Sequence, residues 1–200
     1  MTEHVPIYDL YGEKPDKRPD FWLHCETIAS RSSLHRWEIA LHRHEGFFQI
    51  LYIQAGSGEA IFEGRVHAIH PPAVITIPPQ VDHGFRFSRD IAGLVITVVA
   101  THLRIRPGTH SGLGEWLSAP CLTSLDKDDD DAIYLGRTLE RIGEEFASRH
   151  SGGNDLIDAC LTSALVLTAR FSTGGRDEFL GRSDDLRFWD SKIPANQIQH

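Results

Sequence analysis

The stretch HRHEGFFQILYIQAGSG, His42 to Gly58, decides the fold. Side chains alternate across a strand, so His42 and His44 share one face, and Gln49 on the following strand can face the same interior. Trp37, Ile39 and Leu41 alternate with the histidines, and the same rule sends them outside the barrel, to pack against the helices. Gly56-Ser57-Gly58 then forces a turn, because glycine accepts positive φ without a steric cost. Two strands lined by imidazoles and an amide, closed by a glycine turn, announce a β structure with a polar interior.

Working outward, the same grammar continues from Arg36 to Thr101. Arg36 to His44 and Phe47 to Gln54 read as strands, then Glu59 to Glu63, with Glu63-Gly64 as the tip of a hairpin into Arg65 to Ile69. Pro71-Pro72 and Pro78-Pro79 bracket Ala73 to Ile77, and His83 to Phe87 and Leu94 to Thr101 complete the series. Short strands at this spacing without helices between them point to a sandwich or barrel.

The period then changes. Ala132, Leu135, Leu139, Ile142 and Phe146 form the seam of an amphipathic helix that ends near His150. The acidic run Asp128 to Asp131 suits the positive end of that helix's dipole, and it lacks the interleaved ligands and glycine of a calcium loop. Ser151-Gly152-Gly153 stops the helix, and a second runs from a cap at Asn154 or Asp155 to about Phe171. Its apolar residues surround most of its girth, so the barrel, or a second subunit as well, must cover it. Ser111 to Gly114 reads as a loop without the strand-to-helix context of a nucleotide site.

Three zones result: a barrel over 1–105, a helical hairpin over 106–171, and a polar tail over 172–200 with only scattered apolar residues, Phe188-Trp189 among them. A net charge of −8 gives no general attraction to nucleic acid or anionic lipid. Cys25, Cys121 and Cys160 are scattered and odd in number, which suits free thiols in a reducing compartment. The start MTEHVPIYDLYGEKP has no signal-peptide pattern, and no apolar run approaches the ~20 residues of a membrane helix, so the expectation is a cytoplasmic protein.

The spacing of His42, His44, Gln49 and Gly56, followed by Pro78 and His83, resembles the two motifs of the cupin superfamily. That resemblance implies a mainly β fold, a double-stranded β-helix (jelly-roll) barrel followed by an antiparallel pair of α-helices. It departs in two places: Gln49 stands where metal cupins have glutamate, and Gln80 where the second motif has glycine. An amide is a weaker ligand than a carboxylate, so a metal-free pocket is expected, with His42, His44 and His83 as the ligands if an ion binds.

The wording VPIYDLYGE, FWLHCETIASRSSLHRWEI, HRHEGFFQILYIQAGSGEA and PPQVDHGFRFSRDIAGLVIT is similar to one branch of the AraC/XylS transcription regulators, the activators of aromatic-acid catabolism such as the 4-hydroxybenzoate regulators. The resemblance implies a barrel that binds a small effector and helices that pair two subunits as a homodimer. In that family a separate domain of helix-turn-helix units binds DNA. The residues after Phe171 show no such units and no basic stripe, so no DNA binding is expected of this chain alone. The pocket is expected to be lined by His42, His44, Gln49, Leu51, His83, Phe85 and Phe87, a mix of rings and donors that suits an aromatic acid. Arg36 and Arg86 are candidate carboxylate clamps. No nucleophile–base pair or phosphate loop is visible, so neither catalysis nor a cofactor is expected; a small three-histidine dioxygenase or isomerase is the alternative.

Overall fold

The computed structural model describes residues 22–106, 108 and 112–173. The opening residues and all but the first two of the polar tail, with Phe188-Trp189, lie outside them. Among the described residues, nine strands run in the order β1 (Leu23–Thr27), β2 (Glu38–His42), β3 (Phe47–Ala55), β4 (Gly58–Phe62), β5 (Arg65–Ile69), β6 (Ala73–Ile77), β7 (His83–Phe87), β8 (Ala92–Val99) and β9 (Cys121–Ser124), with four α-helices: α1 (Ile28–Ser33), α2 (Gly112–Trp116), α3 (Asp130–Ser148) and α4 (Gly153–Ser172).

Two antiparallel sheets, ordered β1-β8-β3-β6-β9 and β2-β7-β4-β5, face each other as a cupin barrel, and the helices follow. The five-stranded sheet is covered on both sides. Phe48, Ile50, Val74, Ile96 and Val98 point outward into a core shared with Leu135, Leu139, Ile142, Leu161 and Leu165 of the helices. Their neighbours Leu51, Ile53, Ile75, Ile77 and Val95 point inward, against Phe62, Phe85 and Phe87 of the other sheet. This explains why β3 and β8 carry apolar residues on both faces, broken by Gln49 and Gln54 on β3 and Thr97 on β8, whereas β7 alternates, with Arg86 on the solvent side.

The turns follow from local chemistry. Glu63 and Gly64 have φ of 53° and 69°, the paired positive values of a tight hairpin between β4 and β5. The Asp129 side chain accepts from the Ala132 amide and caps α3, with Asp130 and Asp131 in its first turn. The acidic run is thus a helix start. Arg149, at φ 51°, and Gly152, at φ 76°, turn the chain back into α4.

Three elements were not anticipated: β1, α1 and β9. In addition, Gly112 to Trp116 is a short helix, not the expected loop. The expected outward placement is corrected for Trp37 and Ile39; Leu41 does lie outside, but exposed and not packed on the helices. Between Ile39 and His42 the register against β7 slips: Ile39 pairs with Phe85, and His42 with His83. Three steps on β2 therefore match two on β7, a β-bulge that turns Ile39 and His42 to the same face. Ile39 and Trp37 pack on the inner core, and Leu41 is left 41% exposed.

Candidate effector pocket

β2 and its continuation, β3 and β7 bring His42, His44, Gln49 and His83 together inside one end of the barrel, and all four are buried. The His42 and His83 rings lie 4.3 Å apart between centroids, His42 and His44 4.9 Å, and His44 and His83 5.5 Å. Leu51, Phe85 and Phe87 extend this cluster as an apolar wall, Phe85 stacked on Phe87 at 5.4 Å. The seven residues expected to face the interior do so.

The protonation of the cluster follows from its surroundings. Burial pushes His42 down to about 4, with the charges of His44, Arg31 and His35 acting in the same direction. Burial and the neighbouring His42 hold His83 well below the ordinary histidine value. Both rings are therefore neutral near pH 7. Each donates from Nδ1 to a backbone carbonyl, His42 to Ala40 at 2.9 Å and His83 to Val81 at 2.8 Å. A neutral ring that donates from Nδ1 carries a lone pair at Nε2. The Gln49 amide bridges that atom of His83, at 3.1 Å, and the Thr97 hydroxyl, at 3.3 Å. As placed, Gln49 Oε1 faces His83 Nε2 and Gln49 Nε2 donates to the Thr97 hydroxyl; turning the amide over presents an N–H to the lone pair of a neutral His83 and accepts from the hydroxyl.

Gln80 has a conformational explanation. Its φ of 67° lies in the left-handed region, where glycine is favoured, and its amide donates to the His44 carbonyl at 2.7 Å. The second motif thus keeps its backbone path despite losing its glycine.

Of the seven, His42, Gln49, Leu51, Phe85 and Phe87 line the cavity, and the rest of its lining was missed by sequence reasoning: Ile28, Arg31 and Ser32 of α1, Ile39 from the bulge, and Val95 of β8. Neither expected clamp reaches the interior. Arg86 is exposed and pairs with Glu38 and Glu59 on the outer face, and Arg36 is exposed in a turn at φ 56°. The cavity itself measures about 20 Å³, room for about one water molecule. Two larger hollows, each about 530 Å³, are surface clefts, one at the α3–α4 turn and one between β1 and α3. Neither gathers the imidazoles.

The three histidines offer one nitrogen each within 4.8 Å of one another. Three imidazoles with an open position are a set that can hold zinc or iron. An ion on His83 Nε2 would displace Gln49 from that atom.

Among solved structures, the chain is similar to an apo variant of ToxT from Vibrio cholerae, with 11% identity, a TM-score of 0.44, and coverage of 77% of this chain and 58% of that one. It is similar to the AraC-like transcriptional activator CuxR, with 9% identity, a TM-score of 0.44, and coverage of 75% and 54%. A predicted oxalate decarboxylase from Thermotoga maritima covers 38% of this chain and 80% of its own, at 21% identity and a TM-score of 0.30. The chain thus spans little more than half the length of the two regulators. No curated protein matches it. Residues 24–161 match the AraC-like ligand binding domain, and with most of its length accounted for in this way the chain belongs to that family.

Proposed function

We propose that the barrel is the effector-binding part of an AraC-type transcription regulator, and that its ligand is a small aromatic acid held among His42, His44, Gln49, Leu51, His83, Phe85 and Phe87. The observation that carries this reading is the pairing of neutral buried imidazoles with a stacked phenylalanine wall in one enclosed space. Imidazoles and an amide can donate to or accept from a phenol or carboxylate, while the rings bury the aromatic face. Binding would act on the helices by favouring one packing of barrel against α3 and α4, which share a core with the five-stranded sheet.

The same reading assigns α3 and α4 to homodimerisation. Tyr134 is 56% exposed, with Ile133 and Leu156 at 39%, on otherwise well-packed helices. Sedimentation as a single-chain species at micromolar concentration would remove this part of the proposal. DNA binding, in this reading, belongs to helix-turn-helix units outside this chain.

A second reading, a three-histidine metal enzyme of the dioxygenase or isomerase class, is favoured by one observation, the convergence of His42, His44 and His83. One experiment separates the two. Purified protein is analysed for metal, and its thermal stability is followed with hydroxylated benzoates and phenylacetates. We expect metal well below stoichiometric and a rise in Tm with an aromatic acid, since a ligand at 100 times its Kd adds about 2.7 kcal/mol. Stoichiometric iron, zinc or manganese with no response to the acids would establish the enzyme instead.

A further inference from the structure

We propose that Arg31 is the residue that recognises the effector's negative charge, and that Glu26 is its resting partner, exchanged for the ligand's carboxylate on binding. The inference rests on the effector-pocket reading and adds to it the charge of the ligand and the group that reads it.

Three observations lead there. First, Arg31 is the cation lining the barrel pocket, among the described residues, and it shares that lining with the neutral imidazole of His42 and with no carboxylate. Second, its guanidinium is held from outside the pocket: Nη1 donates to Glu26 Oε1 at 3.0 Å, with the two side chains only 18% and 20% exposed. A shielded arginine of this kind cannot lose its anion cheaply, because an unpaired charge in low dielectric is costly. A ligand carboxylate can take Glu26's place at no such cost, since one charge-assisted pair replaces another. Glu26 also borders the open cleft between β1 and α3, so the displaced carboxylate has solvent-accessible space to turn into.

Third, the pocket has to enlarge. About 20 Å³ is far below the ~300 Å³ from which small-molecule sites begin. The element placed to give way is α1, only six residues long, which seats Ile28 in the inner core and carries Arg31 one turn later. Glu26 on β1 and Arg31 on α1 tie that helix down across the pocket. Exchanging the tie for a ligand couples opening of the pocket to recognition of charge.

The test is calorimetric titration of the full chain with 4-hydroxybenzoate and with its uncharged methyl ester. The acid is expected to bind the native protein and the ester to bind at least about ten-fold more weakly, the range of a hydrogen bond to a charged group. Arg31→Gln should abolish that preference while the ester's affinity holds. Glu26→Gln should tighten the acid about three-fold by removing its competitor. The two variants move the affinity in opposite directions, so a general loss of folding cannot mimic the result. Equal binding of acid to native protein and Arg31→Gln, or preference of the native protein for the ester, would overturn the assignment of Arg31 while leaving the effector pocket standing. Failure of both compounds and of the phenylacetate counterpart to bind native protein and Glu26→Gln would overturn the pocket reading itself.

Discussion

His42 lies among other imidazoles and near Arg31, and that neighbourhood sets how the fold responds to acid. Its folded-state value of about 4 lies below the ordinary 6.5, so between these limits the unfolded chain binds the extra proton. Stability from this group is therefore complete above 6.5 and is lost as pH falls towards 4. His83 is shifted in the same direction and adds to the loss. At pH 5 the His42 share amounts to about 2 kcal/mol. Urea unfolding at pH 7 and pH 5 should show a clear fall for the native protein, and His42→Gln should reduce that fall by about the same amount. An unchanged pH response in the variant would mean that His42 is not buried neutral. At this scale the sequence was informative where a residue's face follows from its own strand, as for Gln49, Leu51, Phe85 and Phe87. It was silent on Arg31, because that side chain reaches the pocket only through α1, whose six residues IASRSS carry no helical period long enough to read.

Strands and helices dock through particular small residues. Gly136 on α3 faces the ring of Tyr52, which projects from the outer side of β3, and a methyl group there would overlap the tyrosine hydroxyl. Gly136→Ala gains about 1 kcal/mol of helix propensity, but overpacking at such a contact costs ~1–3 kcal/mol. A net loss in urea unfolding is expected, with much of it recovered in the double variant that adds Tyr52→Phe. Net stabilisation by Gly136→Ala alone would show that α3 does not rest on Tyr52. Elements were read from sequence in proportion to their length and regularity. Arg65–Ile69, Ala73–Ile77 and His83–Phe87 are found at their expected bounds because prolines and turns bracket them. The four residues of β9 are too few to show alternation, and they are a strand by pairing with β6. The bulge in β2 was hidden for another reason: strict alternation is the assumption that a bulge breaks.

At the scale of the molecule, one sheet is shared by two cores. The five-stranded sheet places a polar, histidine-lined interior on one side and the helix pair on the other. A ligand that moves inward-facing residues of β3 therefore acts on the strand that also carries Phe48, Ile50 and Tyr52 to the helices. The family match, residues 24–161, spans the barrel, α3 and the first half of α4. In the proposed function the barrel interior receives the effector. Its most direct test is calorimetric titration with 4-hydroxybenzoate of the native chain and of Phe85→Trp, a variant that fills the pocket, with circular dichroism to confirm that the variant folds. One saturable site per chain is expected in the native protein and at least about a ten-fold weaker one in the filled variant, the scale of a contact worth about 1.4 kcal/mol. Binding of equal strength in a folded Phe85→Trp protein would place the ligand elsewhere and contradict the proposed function.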